Sequence, residues 1–385
     1  SNMLSLNNDS LTIFPTSYDL IVERINAINP IKYAKTRNFI NGDVTYLSAY
    51  ISRGVISVQQ IKDAVLQKGY KPYEIEKFLQ ELAWREYYQR VWQVKKELIF
   101  ADLKQPQPDF LHYQIPTAIV NASTGIQVID DQINAFYSTG YLHNHIRMYL
   151  AAMVCNNAKS HWLTPARWMY YHLLDGDLAS NSCSWQWVAG SFSSKKYYCN
   201  QENINKYTST NQQQTFLDHS YEHIATMPVP TVLQETLTEN YETILPATAA
   251  PKLDTTKPTL LYNGYNLDPL WRSSENVNRV LLLEPSHFKK YPVSKKVIDF
   301  MMALSTNIDG IVIYTGEVDA LTKQYENCDL TISNAFISKE HPAFDYYPGT
   351  KDCRDWMFAK VEGYYPSFFS FWKKGAQALS KNKTN

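Results

Sequence analysis

The sequence predicts a mostly α-helical protein, an all-helical domain followed by a smaller C-terminal α/β domain. Three observations carry that prediction. From residue 58 to 220 apolar side chains recur at three- and four-residue steps, as in Ile75, Phe78, Leu79, Leu82, Tyr87 and Val91, the period of a helix with a buried face. Residues 226–258 hold five prolines among many threonines and few large apolar groups, which suits a linker crossing a surface. Beyond it the apolar residues gather in short runs. The expected division is therefore 1–225, a linker at 226–258, and 259–385.

Within the helical part, Pro106, Pro108 and Pro116 break the pattern over residues 104–121. A second helical run starts near Thr124 and continues, with interruptions, to about Val188. After the linker, Thr259–Tyr262, Arg279–Glu284 and Gly310–Tyr314 read as strands, with a helix over Ser294–Ser305 between the last two. Strand, helix, strand in that order is a βαβ unit. The 13 glycines are scattered, so neither a dinucleotide fingerprint nor a phosphate loop is present.

A chain of 385 residues is long enough for two domains. Aromatic residues make up 14%, with 28 Tyr and 9 Trp, and packing is the first explanation of such an excess. Lys plus Arg and Asp plus Glu balance at 37 each, so any nucleic-acid contact must come from a local patch. Cys155, Cys183, Cys199, Cys328 and Cys353 form no CxxC pair, which argues against a disulfide framework or a zinc site. Reduced thiols, no basic-then-apolar leader and no long apolar run point to a cytoplasmic protein outside the membrane. No metal is expected, and a monomer is. Ser1-Asn2-Met3 reads as a tag remnant.

Four local motifs occur in order. They are Tyr33-x-x-x-Arg37 with Thr45-Tyr46-Leu47-Ser48 to Ser52, and Glu81-Leu82-Ala83-Trp84-Arg85-Glu86-Tyr87-Tyr88. Gly140-Tyr141-Leu142-His143-Asn144-His145-Ile146-Arg147-Met148 follows, then Leu174-Asp175-Gly176-Asp177 to Asn181 with Trp185-Gln186-Trp187. Taken singly, these are helix caps and core tryptophans. Thr45, Ser48 and Ser52 offer hydroxyls just before a helix, by themselves simple caps. Asn144 and Arg147 lie three apart and share a helix face.

Together, these motifs resemble the flavin domain of the DNA photolyase/cryptochrome family, over about half the chain. The resemblance implies FAD held by Tyr33, Thr45, Leu47, Ser48, Arg85, Asn144, Arg147, Asp175, Asp177 and Asn181. Only this resemblance, carried by the four motifs together, places the Thr45, Ser48 and Ser52 stretch at a diphosphate. It pairs Arg147 with Asp175 beside the isoalloxazine ring and sets Asn181 opposite flavin N5, where a neutral amide leans toward repair rather than plant-type sensing. Trp84, Trp187 and Met148 become walls of a pocket for a flipped pyrimidine dimer, and Glu81 its carboxylate partner. Trp185 and Trp162 correspond to the inner members of the tryptophan chain that photoreduces the flavin. The outer member is missing, for residues 109–113 read Asp-Phe-Leu-His-Tyr, and Tyr113 is the aromatic candidate there. Arg37, with Arg85 and Lys195 or Lys196, is a candidate phosphate contact.

The sequence also departs from the family. Ala49 stands where Pro is common, Arg53 where Gly is common, and His145 where Arg is common. Residues 195–200 bear a faint likeness to the iron–sulfur branch, but four placed cysteine ligands are lacking, so no cluster is expected. The family's N-terminal antenna domain does not precede residue 30, and an α/β segment follows the flavin domain instead; the antenna pigment stays open. The expected function is light-driven repair of cyclobutane pyrimidine dimers in DNA. A photosensor without repair is the alternative, (6-4) photoproduct repair keeps some weight because His143 and His145 flank Asn144, and a helical binding protein without flavin is the remaining competitor.

Overall fold

Helix Glu76–Lys95 organises the molecule. Its sequence is free of Gly and Pro and rich in long side chains, and Pro72 opens the 3₁₀ turn that leads into it. A helix at the protein surface would show one apolar stripe. This one buries Phe78, Leu79, Leu82, Tyr87 and Val91 but also Glu86, Gln89 and Arg90. Both of its faces are covered, one by helices and one by the C-terminal part of the chain. The structure, a computed structural model, describes residues 8–381; Ser1-Asn2-Met3 lies outside the described residues.

Helix Gln127–Thr139 ends at Gly140, whose φ of 76° is a left-handed cap. Asn144–Ala151 follows, capped by His143 Nδ1 accepting from the His145 N–H at 3.0 Å, and runs into a π-helical turn at Ala152–Asn157. Leu163–His172 and Leu178–Ala189 complete this layer. The Asp177 carboxylate starts the last helix by accepting from the Ser180 N–H at 2.8 Å.

The C-terminal part carries a five-stranded parallel sheet in the order Ile311–Thr315, Asn278–Leu283, Thr259–Tyr262, Phe336–Lys339, Thr350–Asp352. Helix Lys295–Ser305 crosses between the second and third strands in chain order, which makes the βαβ unit. The last two strands are short and end in Ser-Lys and Thr-Lys-Asp, so no apolar run announces them. Between helical part and sheet, residues 226–258 hold a 3₁₀ turn at Thr231–Leu233. They also hold a two-residue strand, Thr236–Leu237, paired with Ile115–Pro116.

One hydrophobic core joins the two parts, running from Phe14 and Tyr87 through Leu260 and Leu281 to Phe300 and Phe371. A second lies among residues 115–233. The joint is made by the loop after strand Thr259–Tyr262. Gly54 sits at φ 66°, and a Cβ there would lie 2.2 Å from the Tyr265 carbonyl oxygen, so only glycine lets the two backbones approach. The Tyr265 ring stacks on His341 at 4.8 Å, and its hydroxyl meets that of Tyr170 at 2.7 Å. Arg53, with no exposed surface, donates to the carbonyls of Leu174 (3.0 Å), Gly176 (2.9 Å) and Gly264 (3.1 Å).

Arg53→Met keeps the volume but orphans three buried carbonyls, so it should destabilise the fold by about 3 kcal/mol or more. Thermal unfolding followed by circular dichroism measures this; an unchanged midpoint would contradict the reading of the joint.

Candidate functional site

A cleft of about 300 Å³ opens between helix Glu76–Lys95, the Tyr33–Ile51 region and helices Asn144–Ala151 and Leu178–Ala189. At its heart is an ion pair. Arg147 Nη1 and Nη2 donate to the two oxygens of Asp175 at 3.1 and 2.7 Å, a bidentate contact, while Nε donates to the Leu142 carbonyl at 2.8 Å. Ser48 Oγ donates to Asp175 Oδ2 at 2.6 Å, and Ser52 Oγ to the Asp175 carbonyl at 2.6 Å. Arg85 in turn donates to Ser52 Oγ and stands 3.8 Å from Asp177 Oδ2. Burial works to raise the Asp175 carboxyl, but the Arg147 charge and the hydrogen bonds from Arg147 and Ser48 outweigh it and hold the acid below the usual carboxylate range.

The chain folds this way because residues 173–177 form the connection between two helices. Asp175 points into the cleft from that turn, while Asp177 caps the next helix and accepts from Gln89 Nε2 at 2.9 Å. From Asp177 onward, Ser180, Asn181, Ser184, Trp185 and Val188 line the cleft at three- and four-residue steps. Asn181 Nδ2 donates to the Ala166 carbonyl at 2.8 Å. Its Oδ1 accepts from no described residue.

The cleft gathers Tyr33, Thr45, Leu47, Ser48, Glu81, Trp84 and Arg85 from the first half of the motif set. From the second half it gathers Asn144, Arg147, Met148, Asp175, Asp177, Asn181 and Trp185. Arg37, Trp162 and Trp187 do not line it. Arg37 pairs with Glu81 at 3.0 Å, so the cation singled out for a phosphate is already joined to the carboxylate singled out for the lesion. Trp162 is fully buried and donates its indole N–H to Asp102 at 2.6 Å. Trp187 is 37% exposed because residues two apart on a helix face opposite ways: Trp185 turns in and Trp187 out. Ser48, expected to offer its hydroxyl to a diphosphate, gives it to Asp175 instead. Thr45 is the hydroxyl of that stretch that no other described residue engages.

Trp84 has a partner that its motif does not hint at. Phe368, on the C-terminal helix Phe368–Lys381, stacks on it with centroids 3.9 Å apart and planes 12° apart. The histidines beside Asn144 do not line the cleft; burial, with His145 adding, holds the His143 imidazole down at about 4, and burial lowers His145 as well. Ser180, Ser184 and Tyr141 line the cleft without having been singled out. The helical period from Asp177 would have found the two serines.

Residues 78–249 match the family model for the FAD binding domain of DNA photolyase. This part of the chain is similar to the flavin domain of the photolyase/cryptochrome family. Proteins named deoxyribodipyrimidine photo-lyase from Buchnera aphidicola subsp. Baizongia pistaciae and from Synechococcus are similar to it, at 28% identity over 197 residues and 30% over 169. These alignments take in 46% and 41% of this chain but only 39% and 35% of those proteins, so the chain spans little more than a third of their length. Among solved structures, a Synechocystis cryptochrome aligns at a TM-score of 0.48 and 22% identity, over 60% of this chain and 50% of that one.

The cofactor that goes with this match is FAD, and the cleft fits it. The Ser180 hydroxyl is buried without a partner among the described residues, in a wall where a polar ligand would satisfy it. Around it stand apolar groups, Ile51, Leu82 and Ala151, against which a flat ring system can pack, with the Arg147–Asp175 pair beside them. Among the described residues no group of three or more His, Cys, Asp or Glu could hold a metal ion, and no helix is long and apolar enough to cross a membrane.

Asp175→Asn removes the counter-charge of a partly buried Arg147, and the FAD bound per protein after purification should fall about tenfold, the effect of losing one charge-assisted bond. The ratio of flavin to protein absorbance checks it. Because the folded acid lies below its unfolded value, the pair's contribution is complete above the ordinary carboxylate range and is lost only as pH falls through the lowered value. FAD retention should therefore be flat from neutral pH into mild acid, and a loss already near neutrality would contradict this.

Proposed function

We propose that the protein uses reduced FAD and blue light to split cyclobutane pyrimidine dimers in DNA. What carries the reading is that Glu81, Trp84, Met148 and Asn181 line the same cleft as the Arg147–Asp175 pair. Substrate side chains and cofactor side chains are thus within one enclosure. Bound FAD supplies light capture and an electron that is lent to the dimer and returned, so the reaction is redox-neutral and needs no nucleophile or proton relay. The Arg147 guanidinium favours negative charge at the cofactor, and the uncommitted Asn181 oxygen can accept a hydrogen bond from it. The Glu81 carboxylate can accept from a pyrimidine N–H once Arg37 swings toward a phosphate. A flipped base would stack on Trp84 after Phe368 leaves, a stack worth roughly 1–3 kcal/mol. The position of His143 and His145 outside the cleft favours this lesion over the (6-4) photoproduct.

The second reading is a photosensor that holds FAD and signals through a partner. Two observations favour it: the Trp84 face is already covered by Phe368, and Glu81 is already paired with Arg37.

Dimer loss from an irradiated oligonucleotide under blue light, with the flavin reduced chemically, separates the two. Repair predicts loss that requires light. No loss with fully reduced, FAD-loaded protein rejects repair. Phe368→Ala removes a stack worth ~0.5–1.5 kcal/mol and should tighten binding to dimer-containing DNA by about two- to tenfold, with FAD content unchanged. Equal binding to damaged and undamaged DNA in both proteins would favour the sensor.

A further inference from the structure

Asp102 is a carboxylate that meets the buried indole of Trp162. Its Oδ1 accepts from Trp162 Nε1 at 2.6 Å and lies 3.0 Å from His161 Nε2, while Oδ2 accepts from the Gln107 N–H at 2.8 Å. Trp162 has no exposed surface. The His161 ring lies 5.6 Å from Trp162 between centroids, and Tyr113 lies 5.1 Å from His161. Tyr113 itself is 63% exposed. Two backbone bonds hold its segment against residues 159–161, Leu111 N–H to the Lys159 carbonyl and His161 N–H to the His112 carbonyl, both 2.8 Å. The Thr164 hydroxyl adds a bond to the Tyr113 carbonyl at 2.7 Å. A continuous aromatic path therefore leads from the buried indole to solvent.

We propose that Asp102 is the proton acceptor for oxidised Trp162 and that Tyr113 is the terminal electron donor of this route. The inference rests on the FAD reading above and on the tryptophan chain that the family resemblance implies, in which photoexcited oxidised FAD is the oxidant and Trp185 and Trp162 relay electrons to it. When Trp162 gives an electron to oxidised Trp185, its indole N–H becomes strongly acidic, and the Asp102 carboxylate already accepts that N–H at 2.6 Å. The indole N–H bond breaks and an O–H bond forms on Asp102 Oδ1, which leaves a neutral tryptophanyl radical and a neutral acid. Tyr113 then gives one electron to Trp162 and its phenolic proton to water, and Asp102 returns its proton to the indole. In sum, one electron passes inward from Tyr113 and one proton leaves to solvent. The tyrosine does the work of the missing outer tryptophan because its exposure gives the proton an exit.

Transient absorption after a light flash on the protein loaded with oxidised FAD tests both halves. The parent should show a neutral tryptophanyl radical that gives way to a tyrosyl radical. In Asp102→Asn the tryptophan radical should stay protonated, and Asp102→Glu should restore its deprotonation. In Tyr113→Phe the tyrosyl signal should vanish and the charge-separated state should decay at least tenfold faster. Ultraviolet Raman of the flavin-free protein, comparing parent and Asp102→Asn, should show a weaker indole N–H hydrogen bond in the variant, a readout that needs no cofactor. An unchanged Raman signature, deprotonation in Asp102→Asn at the parent rate, a tyrosyl radical that persists in Tyr113→Phe, or no tryptophan radical at all would each overturn the proposal. Repair with chemically reduced FAD does not use this route, so its success or failure reads the function separately.

Discussion

Arg53 directs a buried positive charge onto backbone carbonyls, and the geometry of the cleft depends on it. Its three acceptors, Leu174, Gly176 and Gly264, belong to the turn that carries Asp175 and to the loop that follows the first strand of the sheet. A cation without exposed surface is expensive unless each donor is satisfied, and this one also lies 5.7 Å from the Tyr265 ring. The turn it holds is the one whose carboxylate meets Arg147 and Ser48. The α/β part is thus a structural partner of the FAD cleft, since the same guanidinium grips both.

Helix Glu76–Lys95 carries the same coupling along its length. Glu81, Trp84 and Arg85 face the cleft, while Glu86 on another side accepts from the N–H groups of Met357 and Phe358 at 2.6 and 2.7 Å. Arg90 lies over the Trp356 ring at 3.6 Å. The C-terminal segment is therefore bound to the helix that supplies the proposed lesion contacts, and Phe368 reaches the face of Trp84 from it.

Much of this was legible in the sequence, and the exceptions have physical reasons. The helical period, the proline-rich stretch and the first three strands of the sheet are local signals, and the ordered motifs brought most cleft residues to light because each is a short run on one element. Arg53 was visible only as an oddity where glycine is common, since its partners are carbonyls and carbonyls leave no trace in side-chain identity. Phe368 and Trp84 are 284 residues apart in number, a contact that no periodicity announces. Trp187 fell outside the cleft although helical parity with Trp185 was available to show it. The last two strands of the sheet are too short and too polar to be read as strands.

The most direct measurement is the FAD dissociation constant of Arg53→Met, taken by fluorescence titration of flavin-stripped protein at a temperature where the variant is folded. Arg53 does not line the cleft, so it reaches FAD through the residues it holds, 174–176 above all. A weakening of about tenfold or more is the predicted result, comparable to losing one charge-assisted bond in the Arg147–Asp175 pair. A folded variant that binds FAD as tightly as the parent would contradict the account.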